Sequence, residues 1–356
     1  MEKINIKDEP DTQKSKGFSG LLVGIGKRVL LLVVLGLAIQ LILPQITSFQ
    51  NNLAIVKSLK TWLLGLAVLA QFFGYVGNGF TIKELVKSAH RQFSVMRGVM
   101  ISLASASIGM VAGGMIASAA SIFRWVKASG GGNGGASLSA TLPPIILDVV
   151  LLGISIIGGI YLFFNKNITE WQVTAFASIS LLLLALFVFF SYALKNREKS
   201  KMIAYKFVSS GLRLFKKKVN QERINQEFDR LFNAWDSLLA GGWKGPFLGS
   251  IAYVFFDMLT IYLVFLSTGN TVPIFVLIAG YGLPVLLGKM AFIFPGGIGI
   301  IETSMVALYA SLGVPSAQAT VVVLVYRIIS FWVPLILGFM FIPFLSNNNG
   351  KNKQKA

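Results

Sequence analysis

The chain has 356 residues, 54% of them hydrophobic and 13% charged, and its 32 Lys and Arg against 14 Asp and Glu give a formal charge of +18. It has no cysteine and a single histidine, His90, which excludes disulfides, thiolate nucleophiles, Cys/His zinc clusters and haem ligation. The positive charge falls between apolar runs, where the positive-inside bias and anionic lipid account for it without nucleic acid.

The first 20 residues are polar and lack the apolar core and cleavage site of a signal peptide, so 1–20 is expected to be a cytoplasmic N-terminus and 21–43 a retained helix. Further apolar segments run at 61–80, 98–123, 145–165, 171–194, 247–267, 272–294, 298–313 and 316–345. All are expected to be helical, because open strands cannot span lipid. The fold class is therefore all-α, a polytopic membrane helical bundle. Its domain plan is an integral membrane domain at 21–345, with a basic amphipathic cytoplasmic loop at 195–246, followed by a polar cytoplasmic tail at 346–356.

Basic clusters lie at Lys14, Lys16, Lys27 and Arg28, at Lys83, Lys87, Arg91 and Arg97, at 195–230, and at Lys351, Lys353 and Lys355. The charge rule places all four on the cytoplasmic side of a plasma membrane, with both termini. Three apolar segments separate the second cluster from the third, and an odd number of crossings cannot return a chain to the same side. One segment must therefore turn back. The expected one is 98–123, rich in Gly, Ala and Ser and followed by Arg124 and Lys127. Within it Ser105, Gly109, Gly113, Ala117 and Ser121 recur every fourth residue, either as a simple packing face or as a broken helix beside a substrate path. Segment 298–313 is short for a span and fits a glycine-broken hairpin. One interrupted segment in each half resembles the internal repeats whose discontinuous helices build a midplane site.

The run SGGGNGGAS at 129–137 reads as a flexible loop without the lysine of a P-loop. No metal or organic cofactor is expected. In the polar region 195–246, twelve Lys or Arg stand against five Asp or Glu, and the stretch LRLFKKKVNQERINQEFDRLFNAWDSLL spaces its apolar residues as a helix lying on the membrane surface or a solvated connector.

A charge at membrane depth costs about 3 kcal/mol and needs a partner, a wet cavity or a function. Asp148 follows Pro143 and Pro144, where a carboxylate at a helix N-terminus is favourable. Asp257 lies mid-segment and is expected to face the bundle interior. Glu302 and Arg327 lie on consecutive segments, each roughly a dozen residues from the turn at Gly313 and Pro315, which puts them at one depth in antiparallel packing. They are expected to pair, either as a structural neutralisation or as part of a binding site. In the second reading Pro295, Gly296, Gly297 and Gly299 break the backbone, and the following helix end and Arg327 meet a phosphate. Lys289 adds a cation, and Glu302 accepts a headgroup amine or orients Arg327.

The stretch FPGGIGIIETSMVALYASLGVPSAQATVVVLVYRIISFWVP resembles the signature of the lysylphosphatidylglycerol synthase transmembrane-region family, the flippase-like half of the multiple peptide resistance factors. The positions that carry it are Pro295, Gly296, Gly297, Gly299, Glu302, Gly313, Arg327 and Pro334. GMVAGGMIASAASIFRWV followed by Asp148 is similar to the family's first block, without the proline and acidic element usual near its paired glycines, here Gly113 and Gly114.

The resemblance implies movement of a charged lipid such as aminoacylated phosphatidylglycerol between leaflets. The soluble transferase of full-length relatives is not found in this sequence, so no autonomous enzyme activity is expected. Two further readings are a membrane component working with a separate transferase, and a small-solute transporter using acidic residues as proton carriers. The expected partners are anionic or aminoacylated phospholipid and no nucleic acid, with oligomeric state open.

Overall fold

Without water, a backbone must satisfy its N–H and C=O groups internally, and the apolar segments accordingly fold as helices, with no strand among the described residues. The computed structural model describes residues 52–112, 114–164, 243–290 and 295–351, with scattered positions between 174 and 242. The chain divides into two compact units, Met1–Thr47 and Ser48–Ala356. The first lies outside the described residues, as do most of 171–194 and most of the amphipathic stretch.

The described helices are α1 (Leu53–Ser58), α2 (Thr61–Ser88), α3 (Val95–Ala112), α4 (Gly114–Val126), α5 (Gly132–Phe164), α6 (Lys244–Ser267), α7 (Ile274–Met290), α8 (Ile300–Ser311), α9 (Ser316–Arg327) and α10 (Val333–Lys351). A single wide turn, Ile328–Trp332, joins α9 to α10. α2 has 28 residues and α6 has 24, enough at about 1.5 Å per residue to cross a hydrocarbon core of about 30 Å.

α2 and α6 pack antiparallel along their whole length. The Lys60 N–H donates to the Ser267 carbonyl at one end, and the Thr81 hydroxyl donates to the Pro246 carbonyl at the other. Glycines set this closeness: a methyl on Gly77 would stand 2.8 Å from the Gly249 carbonyl oxygen. After α2 the chain turns at Ala89 and His90. His90 takes the left-handed φ of 57° that ends the helix, with its N–H on the Lys87 carbonyl and that of Arg91 on the Val86 carbonyl. The lone histidine thus serves as a helix stop.

The expected break at 98–123 is present. α3 ends at Ala112, Gly114 has φ of 65°, and α4 returns along α3, where a methyl on Gly109 would lie 3.1 Å from Ser118 Cβ. The small-residue stripe is thus spent, at least in part, on closing this hairpin. α7 and α8 form a second hairpin around Pro295–Gly297, with Gly288 facing Ile301 and Gly280 facing the Tyr309 ring.

The two halves have the same plan: a long helix, a hairpin, a long helix. The first repeat is α2, α3/α4, α5 and the second is α6, α7/α8, α9–α10. α6 starts 183 positions after α2 (244 minus 61), and Gly297 follows Gly114 by the same 183 (297 minus 114). Both glycines sit at hairpin tips with φ near 65° (65° and 64°). Because α2 and α6 run antiparallel, the repeats are inverted, and the hairpins enter from opposite ends. Each repeat's last helix packs on the other's hairpin: α5 meets α7 where Gly158 faces Ala279, and α10 meets α3 where the Ser107 hydroxyl donates to the Leu335 carbonyl. The symmetry suspected from two broken segments is therefore architectural, with the paired glycines its visible trace in sequence.

Two local expectations are corrected. The glycine run at 129–137 is not wholly a loop: Gly130 and Gly132 bend the chain with φ of 93° and 68°, but α5 begins at Gly132. Gly135 is buried against Val86, where small size rather than flexibility is the requirement. Pro143 and Pro144 consequently lie inside α5, not at its start. Asp148, sixteen residues from either end of that helix, gains nothing from a helix N-terminus.

In the polar region, Arg197 grips Asp236 through two bonds, of 2.9 and 2.5 Å, and Lys201 pairs with Asp229. The hydrogen bond from Arg197 holds the Asp236 carboxyl below its usual range. Large apolar side chains stay exposed on the long helices, among them Leu66 and Phe73 on α2, Ile160 on α5, Phe255 on α6 and Met340 on α10. Such a surface suits lipid rather than water.

Candidate functional site

The tip of the second hairpin is held by one buried ion pair. Gly313, with φ of 91°, closes α8 with its N–H on the Ala310 carbonyl and that of Val314 on the Tyr309 carbonyl, so α9 returns antiparallel and brings Arg327 to Glu302. Arg327 Nε donates to Glu302 Oε1 at 2.7 Å, and the side chains are only 7% and 8% exposed. Glu302 Oε2 accepts the Gly299 N–H at 2.7 Å, a reach back from the third residue of α8 to the residue that caps it. Arg327 Nη2 donates to the Gly296 carbonyl at 3.1 Å, and its guanidinium lies 4.4 Å from the Phe331 ring centre. The pair thus ties α9, the α8 start and the broken backbone together. Of the two roles foreseen for Glu302, this geometry matches orienting Arg327.

Gly296, Gly297 and Gly299 have φ of 65°, 64° and 85°, a backbone path that side chains disfavour. A methyl on Gly297 would lie 2.9 Å from Gly288 Cα. Pro295 begins the tip turn. In the other repeat Gly114 makes the equivalent bend, while Gly113 lies outside the described residues.

Lys289 does not join Glu302 and Arg327. It pairs with Asp148 of α5, and the two side chains are 33% and 42% exposed. The seam between α5 and α7 therefore carries an accessible ion pair, at the middle of α5 and one residue from the end of α7. α3, from the opposite hairpin, touches the Pro295–Gly297 turn, so both repeats converge on this depth.

The family profile described as "Lysylphosphatidylglycerol synthase TM region" matches residues 29–338, a span that takes in the first repeat, the second as far as the start of α10, and Asp148, Lys289, Glu302 and Arg327. The chain belongs to that family. It is 25% identical over 337 residues to a UPF0104 membrane protein of Pyrococcus horikoshii, covering 86% of this chain and 94% of that one. It is 26% identical over 207 residues to a UPF0104 membrane protein of Methanocaldococcus jannaschii, covering 55% and 61%. A third, from Methanothermobacter thermautotrophicus, is 22% identical over 227 residues, covering 60% and 65%. The chain thus spans less than two thirds of the last two relatives. This member of the lysylphosphatidylglycerol synthase transmembrane-region family is a multi-pass membrane protein.

Asp257 is buried as expected, but by a shell that the charged residues alone did not announce. Its Oδ2 accepts the hydroxyls of Tyr281 at 2.6 Å and Tyr326 at 2.9 Å. The Gln71 amide lies beside it. The signal available in sequence was polar side chains inside apolar segments, which a scan for formal charge passes over. Among the described residues no cluster of His, Cys, Asp and Glu offers a metal site.

Proposed function

We propose that this family member is a lipid translocator, flippase-like, which moves a charged phospholipid such as aminoacylated phosphatidylglycerol between leaflets of the plasma membrane. The observation that carries the reading is the accessible Lys289–Asp148 pair, at the middle of α5 and between inverted repeats. A phosphate and a headgroup amine present the two charges that such a pair can exchange for. Lys289 passes to the phosphate and Asp148 to the amine, so that neither ion is left bare in a medium where bare charge is costly. The lipid tails remain on the exposed apolar faces. Glu302 and Arg327, nearly enclosed, hold the hairpin tip beside this path rather than receive the headgroup. The end that carries Lys83, Lys87, Arg91 and Arg97 is cytoplasmic in this reading, where a separate transferase would supply an aminoacylated lipid.

In proteoliposomes, fluorescent phosphatidylglycerol and an aminoacylated analogue are expected to exchange leaflets with the parent. Lys289→Met slows this by about tenfold or more, the equivalent of one lost charge contact of about 1.4 kcal/mol in the transition state. Stability falls by up to about 3 kcal/mol, since Asp148 then stands in the membrane without its cation. Undiminished exchange in a folded Lys289→Met protein would remove the pair from the path, and no exchange of either lipid by the parent would remove the function.

A further inference from the structure

Among the described residues, the acids inside the long helices and hairpins are Glu84, Asp148, Asp257 and Glu302, and three of them form an ion pair with a lysine or arginine. Asp257 does not. It lies thirteen residues into α6, 5% exposed, at the junction of α2, α6, α7 and α9. Both of its phenol bonds fall on Oδ2, and Oδ1 is buried with no hydrogen-bond partner. Gln71 on α2 is 3% exposed, and its amide lies beside the carboxylate. A buried oxygen without a partner costs about 1–3 kcal/mol, and Oδ1 is one.

The groups facing Asp257 are Gln71 on α2, Tyr253 on its own helix, Tyr281 on α7, and Tyr326 and Arg327 on α9. Tyr75 of α2 stands beyond, with its hydroxyl on the Ser330 carbonyl. Arg327 is committed to Glu302 of α8, and Lys289 to Asp148. The set Asp257, Glu302 and Arg327 therefore carries one uncompensated negative charge.

We propose that Asp257 is a proton-uptake site in the seam between the repeats, loaded by a proton on Oδ1, and that its loading is coupled to lipid movement. The coupling part rests on the translocator reading. The step is a simple addition: one proton from water joins the carboxylate, which becomes a neutral acid, and no other bond is made or broken. One proton cancels the surplus charge and falls on the oxygen that both phenols leave open. A hard metal cation would instead require about six oxygen ligands, while Tyr281 and Tyr326 already direct their hydroxyls at Oδ2. Coupling follows from those phenols. A carboxylate holds them by charge-assisted bonds, and a neutral acid holds them about half as strongly. Tyr281 and Tyr326 sit on α7 and α9, the helices on either side of α8, and Tyr326 adjoins the arginine that grips the hairpin tip. Proton uptake thus loosens the hold on the hairpin flanking the accessible pair.

Two measurements on the full chain separate this proposal from the translocator reading. Infrared spectra of the purified protein in lipid, recorded from about pH 5 to pH 9, are expected to show a protonated-carboxyl C=O band that grows as pH falls. The band is absent in Asp257→Asn and displaced but present in Asp257→Glu, which guards against a variant that fails to fold. Identical band changes in parent and Asp257→Asn would overturn the site, as would a change driven by sodium at fixed pH in place of one driven by protons. In proteoliposomes, a gradient of one pH unit is expected to hold lipid up to about tenfold out of balance for one proton per lipid, and Asp257→Asn abolishes that bias. Lipid movement indifferent to the gradient in the parent would overturn the coupling and leave the translocator reading standing. A titrating band without any lipid movement supports the site and refutes the translocator.

Discussion

Arg327→Met is expected to destabilise the protein by about 3–5 kcal/mol, because it leaves Glu302 enclosed without its cation. Glu302 is 8% exposed and has the Gly299 N–H as its other polar contact. Arg327→Met also frees the Gly296 carbonyl. Glu302→Gln costs less, since an amide oxygen can still accept from Arg327 and its removal leaves a guanidinium that rests on Phe331. The double variant, Glu302→Gln with Arg327→Met, is expected to recover most of the loss, since a buried pair replaced by neutral groups is often close to neutral in stability. Denaturant unfolding in detergent measures all three and closes a double-mutant cycle. Full additivity of the single losses would mean that the two residues do not act as a pair. Lipid exchange by a stable double variant at the parent's rate would make the pair a scaffold alone.

The second large effect is expected at the hairpin tip. Gly297→Ala meets two penalties: left-handed backbone costs about 1–2 kcal/mol for a residue with Cβ, and overpacking costs about 1–3 kcal/mol. The added methyl would lie 2.9 Å from Gly288 Cα and 3.0 Å from its carbonyl oxygen, backbone atoms that cannot rotate aside. The sum, about 2–5 kcal/mol, should appear as lost thermal stability. Gly299→Ala and Gly114→Ala share the positive φ, but nothing lies within 4 Å of either added methyl. They should lose about 1–2 kcal/mol only. Equal losses at Gly297 and Gly114 would mean that close packing of the second tip, the difference between the repeats, does not matter.

What sequence could disclose depended on distance along the chain. Glu302 and Arg327 are 25 residues apart across one turn, so counting helical rise on both sides of Gly313 predicts their meeting. The turning back of 98–123 followed from charge parity, a constraint that holds without knowing any contact. Lys289 and Asp148 are 141 residues apart on different repeats, and only the packing of α5 on α7 unites them. The prolines before Asp148 pointed to a helix start because Pro favours a first turn, but here the helix begins eleven residues before Pro143, at Gly132, with Gly135 buried against Val86. The repeats could only be suspected, from one broken segment in each half, because lipid accepts almost any apolar side chain and the two sequences have diverged. Of the second repeat's charged pair, the positions 183 earlier are Ala119 and Pro144, so the correspondence survives in the paired glycines and in a few further matches, among them Gly130 with Gly313, whose φ are 93° and 91°. Asp257 was legible as buried, but its partners Gln71, Tyr281 and Tyr326 come from three other helices.

The central claim is that a charged headgroup crosses at the Lys289–Asp148 pair, which requires that water reach this depth. The chain has no native cysteine, so one introduced thiol reports alone. Asp148→Cys in sealed proteoliposomes is expected to react with a charged, membrane-impermeant thiol reagent and to be protected by added aminoacylated lipid. Ile116→Cys, at an 84% exposed apolar position on the other hairpin, is expected to react only with a lipid-soluble reagent. If Asp148→Cys also reacts only with the lipid-soluble reagent, the pair faces hydrocarbon and no headgroup path passes through it.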